Sequence, residues 1–125
     1  MTVLDTEFII HHLLEGNVRS TIFKMGLQDE DVQILPATIA DVAETLILQG
    51  EDRKDIARYI LEIVTNVSVE DPTMHLYACL VFAKSDFSYP DCLVLAYAYL
   101  DHIEPTFSNP ELEAAYRRGQ YRYTD

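Results

Sequence analysis

Three short apolar segments in this chain each run straight into a helix-forming stretch, and that alternation most limits how it can fold. Thr2-Val3-Leu4 precedes the helical run Phe8 to Glu15, closed by Gly16. Val32 to Leu35, broken by Pro36, precedes "TIADVAETLIL", with Thr38 the expected N-cap and Gly50 the stop. "VSV" at 67 to 69 precedes Asp71-Pro72 and "TMHLYACLVFAK". Strands joined through helices pair in parallel, and a parallel sheet has to be covered by helices. The pattern therefore predicts an α/β fold around a central parallel sheet.

The remaining segments fit that plan. Val18 to Met25 reads as a second short helix. From Asp52 onward, Ile56, Ile60, Ile63 and Val64 form one apolar stripe at helical spacing. "TMHLYACLVFAK" and "PDCLVLAYAYL" are apolar nearly all round and read as buried helices, the second with Pro90 in its first turn. "HIEPTF" reads as a last, irregular strand, and "NPELEAAYRRG" as a final helix between Pro110 and Gly119.

A length of 125 residues, 49% of them hydrophobic, suits one folded domain over residues 1–125. Without an apolar run long enough to span a bilayer or a signal-peptide pattern, the expectation is a cytoplasmic protein with no membrane association. Cys79 and Cys92 lie in apolar helical runs and are expected as buried free thiols. The net charge of -12 opposes unaided attraction to nucleic acid, so a nucleic-acid role needs local basic patches or metal ions.

Where the acids sit is more informative than their number. Ligands of open parallel sheets bind beyond the carboxyl ends of the strands. Asp5 ends the first strand, while Asp41 and Asp91 are expected in the first turns of the helices after Pro36 and Pro90. The dull explanation is that helix N-termini favour acids. The functional one is a shared site: converging carboxylates repel, and a divalent cation resolves the repulsion. Oxygen ligands without a His or Cys pattern suit Mg²⁺ or Mn²⁺.

These segments resemble the PIN-domain family. "VLDTEFIIHHLLEGN" is similar to the family's opening, a strand running into Asp-Thr-Asn and an apolar helix, with Glu7 in place of Asn. "LPATIADVAETLI" resembles its second block, with Asp41 where Glu is usual and Glu44, one turn on, as the alternative ligand if the register shifts. "VSVEDPTMHLYACLVFAKSDFSYPDCLVLAYA" resembles the third, with Asp91 at its acid. The fourth block departs: in "EPTFSNPEL", Ser108 stands where Asp is common and Glu111 stands in for a later acid. The resemblance implies a three-layer α/β/α PIN-like domain and Mg²⁺- or Mn²⁺-dependent ribonuclease chemistry. Asp5, Asp41 and Asp91 would hold the metal, and Glu111 would be a fourth catalytic acid. Members of this size are mostly VapC-like toxins, homodimers that act on RNA and are neutralised by a protein antitoxin. Two other readings stand beside it: a degenerate PIN domain that binds RNA or a partner without cutting, and a helix-rich interaction module whose acids are helix caps.

Four further groups have bland explanations. His11 and His12 are adjacent on a helix and point about 100° apart, so they do not serve one site together. Thr6 and Thr106 neighbour candidate acids and would either orient a carboxylate or bond within a turn. Arg117, Arg118 and Arg122, interleaved with Tyr116, Tyr121 and Tyr123, suit phosphates and bases or simply a solvated tail. Tyr77, Tyr97 and Tyr99 suit core packing or a dimer face.

Overall fold

The computed structural model describes residues 2–13, 21 and 32–122. It is a mixed α/β structure with a small parallel sheet of order β1-β2-β3. The strands are β1 (Thr2–Val3), β2 (Val32–Ile34) and β3 (Ser68–Val69). Thr2 is in register with Val32, and Gln33 with both Val3 and Ser68. Leu4 extends the first pairing by donating its N–H to the Gln33 carbonyl at 3.1 Å. All three strands point the same way, so their carboxyl ends share one edge of the sheet.

Among the described residues, six helices follow. α1 (Thr6–Phe8) continues as a wider π-type turn over Ile9–Leu13. It begins two residues earlier than the apolar pattern predicts, because Asp5 caps it. The expected Gly16 stop and nearly all of the expected helix over 18–25 lie outside the described residues. α2 (Pro36–Leu48) starts directly at the end of β2, with Leu35 at the N-cap position and no side-chain cap. Thr38 is therefore inside the helix and does not cap it. Pro36 does not break the chain here: its fixed φ and missing N–H suit the first helical position. Gly50, just past the end, takes the positive φ of 85° that closes the helix without a Cβ penalty.

α3 (Arg53–Asn66) is capped by Asp52, whose carboxylate accepts from the Lys54 N–H at 2.7 Å, and its predicted apolar stripe is fully inward. α4 (Pro72–Lys84) and α5 (Tyr89–Leu100) are the helices expected to be apolar all round. They pack on each other, and α3 packs on α4, to form the centre of one continuous core. α6 (Pro110–Arg118) runs from its Asn109 cap to Gly119, which has φ 65°. Cys79 and Cys92 are buried free thiols, as expected.

The segment "HIEPTF" forms no strand. His102 enters it with a left-handed φ of 54°, Ile103 is half exposed, and Pro105 has no N–H to give a neighbouring strand. Among the described residues, no helix is long and apolar enough to cross a membrane.

Candidate functional site

Asp5 stands at the carboxyl edge of the sheet, exposed, where the sequence places it. Its Oδ1 accepts from the Phe8 N–H at 2.8 Å, satisfying one of the donors that a helix start leaves open. The next residue makes the longer-range connection. Thr6 Oγ1 donates to Asp41 Oδ2 at 2.9 Å, across 35 positions of sequence. The second block is thereby brought against the Asp5-Thr6 step, and α1 packs on α2 to hold it there. Thr6 is thus an orienting donor for a carboxylate.

Asp41 is not in the first turn of its helix. Because α2 begins at Pro36, Asp41 falls in the second turn, exposed, with Glu44 exposed one turn on. Asp91 is in the first turn of α5, as expected, half-buried, with its N–H donating to the Ser88 cap at 3.3 Å. α2 packs against α5 as well as α1. Glu111 is exposed in the first turn of α6 and lines a different place, a cleft of about 670 Å³ shared with Arg53, Lys84 and Arg118. Ser108 and Thr106 are exposed in the irregular segment before α6, while His11 and His12 are exposed on the turn after α1.

The fit to a metal is partial. Mg²⁺ commonly takes one or two carboxylates, keeps several waters and completes its shell with substrate phosphate. Asp5 and Asp41 are ligands of the right kind, and Asp41 is bonded to Thr6, the residue after Asp5. Among the described residues, however, no group of three or more His, Cys, Asp or Glu side chains is gathered closely enough to hold an ion. Asp5, Asp41 and Asp91 therefore do not form a ready-made three-ligand cage in this conformation. No protein-family model, curated protein or solved structure matches the chain.

Sequence reasoning missed the polar groups inside the helical core. His75 is only 1% exposed, and its Nδ1 shares a 2.7 Å hydrogen bond with the Tyr89 hydroxyl. Burial pushes the His75 pKa down, against a smaller upward pull from Asp71. Burial pushes Tyr89 up, reinforced by Cys79. The Cys79 and Cys92 thiols are pushed up to about 12, again chiefly by burial. Thiols in that state are neutral at pH 7 and poor nucleophiles, so this cluster packs rather than reacts. The one available signal was a lone His inside an otherwise apolar helix.

Arg53, the first residue of α3, is a strut. Its Nε donates to the Phe82 carbonyl at 2.9 Å, a terminal N–H donates to the Phe87 carbonyl, and the guanidinium lies 3.8 Å from the Phe82 ring centroid. Partial burial draws its pKa down. At the other end of the α4–α5 pair, Tyr97 donates to Asp71 Oδ2 at 2.7 Å. That bond to a carboxylate pushes the Tyr97 pKa up to about 12. It also fixes Asp71 at its left-handed φ of 53°, a conformation Asp tolerates better than most residues.

Proposed function

We propose that this chain is a three-layer PIN-like domain that hydrolyses RNA phosphodiester bonds with the help of Mg²⁺ or Mn²⁺. The single observation that supports this reading is the Thr6–Asp41 hydrogen bond, which joins the first and second blocks of the resemblance at the carboxyl edge of a parallel sheet. In this reading Asp5 and Asp41 are the first metal ligands, and Thr6 holds the Asp41 carboxylate in place. Asp91, in the first turn of α5, would be a third ligand, and Glu111, which lines a different cleft, a fourth acid. A bound cation would supply an activated water and charge stabilisation at the phosphodiester. The toxin role, the protein antitoxin, the homodimer and the cytoplasmic setting belong to the same proposal.

A second reading, binding of RNA or a partner without cleavage, is favoured by one specific observation. The three acids are not assembled into a single ligand group among the described residues.

Calorimetric titration of Mn²⁺ into the parent, Asp5→Asn, Asp41→Asn and Asp91→Asn tests the proposal. Saturable binding in the parent, weakened about tenfold or more in each variant, is the expected outcome. A parent with no binding, or variants that bind like the parent, would remove the metal from the mechanism and leave the second reading. Cleavage of a labelled RNA pool then separates an enzyme from a non-cutting relative.

A further inference from the structure

The chain carries nine Lys and Arg against 21 Asp and Glu. Arg19 and Lys24 lie outside the described residues. Of the other seven cations, six line two adjoining clefts, and Arg58 lines neither. Such gathering is not what an evenly solvated acidic surface would give.

The smaller cleft, of about 540 Å³, is the more one-sided. Arg117, Arg118, Arg122 and His102 line it together with Tyr99 and Tyr116, and among the described residues no carboxylate is part of its wall. Glu113 touches it only indirectly, through its 3.1 Å ion pair with Arg117. The helix dipole accounts for Arg117 and Arg118 in the last turn of α6. It does not account for Arg122 and His102, which come from beyond Gly119 and from the irregular segment after α5. The wall itself is braced: Tyr99 donates to the Tyr116 carbonyl at 3.0 Å, the two rings lie 5.2 Å apart, and Phe107 packs on Tyr116 at 5.5 Å. Arg118 also lines the larger cleft, where Lys54 and Lys84 continue the cationic surface among Asp52, Asp86 and Glu111, while Arg53 in the same wall is held by the Phe82 and Phe87 carbonyls.

Several guanidinium groups around a braced aromatic wall match phosphate oxygens and bases, since Arg binds phosphate in a bidentate manner and aromatic rings accept any base. Continuity through Arg118 favours an extended ligand over a single small anion. We infer that the Arg117–Arg118–Arg122 cleft binds the phosphate backbone of a single-stranded nucleic acid, with Arg118 passing the strand to the neighbouring cleft. The preference for RNA over DNA rests on the proposed function; the phosphate contacts do not, and they need no metal.

The test is fluorescence anisotropy of a labelled single-stranded oligoribonucleotide in EDTA at low salt, so that cleavage and metal binding play no part. Arg118→Glu and Arg122→Glu should each weaken binding about tenfold and lower the salt slope by about 0.7 per lost phosphate contact. Arg58→Glu makes the same charge change outside both clefts and should stay within about twofold of the parent. All three are surface changes, and matching circular dichroism confirms that the variants fold. No binding by the parent, equal losses in all three variants, or polyglutamate bound as tightly as the oligonucleotide would each overturn the inference. Oligonucleotide binding without Mn²⁺ binding would sink the metal reading and leave this cleft standing; Mn²⁺ binding without oligonucleotide binding would do the reverse.

Discussion

The helical core and the acidic sheet edge treat polar groups in opposite ways. Inside the α3–α4–α5 packet, His75 and Tyr89 are sealed from water and satisfy each other, and the Arg53 guanidinium is spent on backbone carbonyls. At the carboxyl edge of the sheet, Asp5 and Asp41 are exposed, and their bonds to Phe8 and Thr6 compete with water. Buried polar pairs are costly to disturb because the surviving partner is left without a bond, whereas exposed ones are not. Stability should therefore reside in the packet, and the edge should be free to change chemistry with little effect on folding.

Phe82→Ala presses hardest on that contrast. Phe82 is fully buried, packs edge-on against Tyr89 and lies under the Arg53 guanidinium. Its removal should cost ~3 to 5 kcal/mol, by the usual penalty for emptying an aromatic site in a core. Urea unfolding followed by circular dichroism measures this, and a loss under ~1 kcal/mol would mean that the packet is not the stabilising half.

Alkaline titration gives an intermediate effect. Cys79 and Cys92 ionise near 9 when unfolded but near 12 when buried. Above pH 9 the unfolded chain therefore holds fewer protons than the folded one, and stability falls as pH rises. The urea midpoint should be lower at pH 10 than at pH 8, and Cys79→Ala with Cys92→Ala should flatten that dependence.

Thr6→Val is the smallest expected change in stability, under ~1 kcal/mol, because the bond it removes is exposed. If the edge is a metal site, the same variant should still weaken Mn²⁺ measurably. A large loss of stability with unchanged Mn²⁺ affinity would invert the comparison.

What the sequence reveals follows the same division. The stripe Ile56, Ile60, Ile63 and Val64, the helix start near Asp52, and the Pro110 start and Gly119 stop of the last helix are local signals, and the fold honours them. The "HIEPTF" strand failed because apolar content does not decide pairing, and Pro105 and the left-handed His102 work against it. Asp41 was placed one turn too early because the helix start depends on Pro36 following β2 directly. At the site, Thr6 was legible as a donor but its partner was not, since a contact across 35 positions exists only in three dimensions. His75–Tyr89 and the carbonyl partners of Arg53 were illegible for the same reason.

Arg53 also bears on how the molecule breathes. It holds the carbonyls at the end of α4 and in the turn to α5 from the first residue of a third helix. That turn would otherwise be the natural place for the α4–α5 pair to fray. With the strut in place, opening the turn means releasing the start of α3 as well, so amides of these helices should exchange with solvent together, as one cooperative unit rather than from the turn inward.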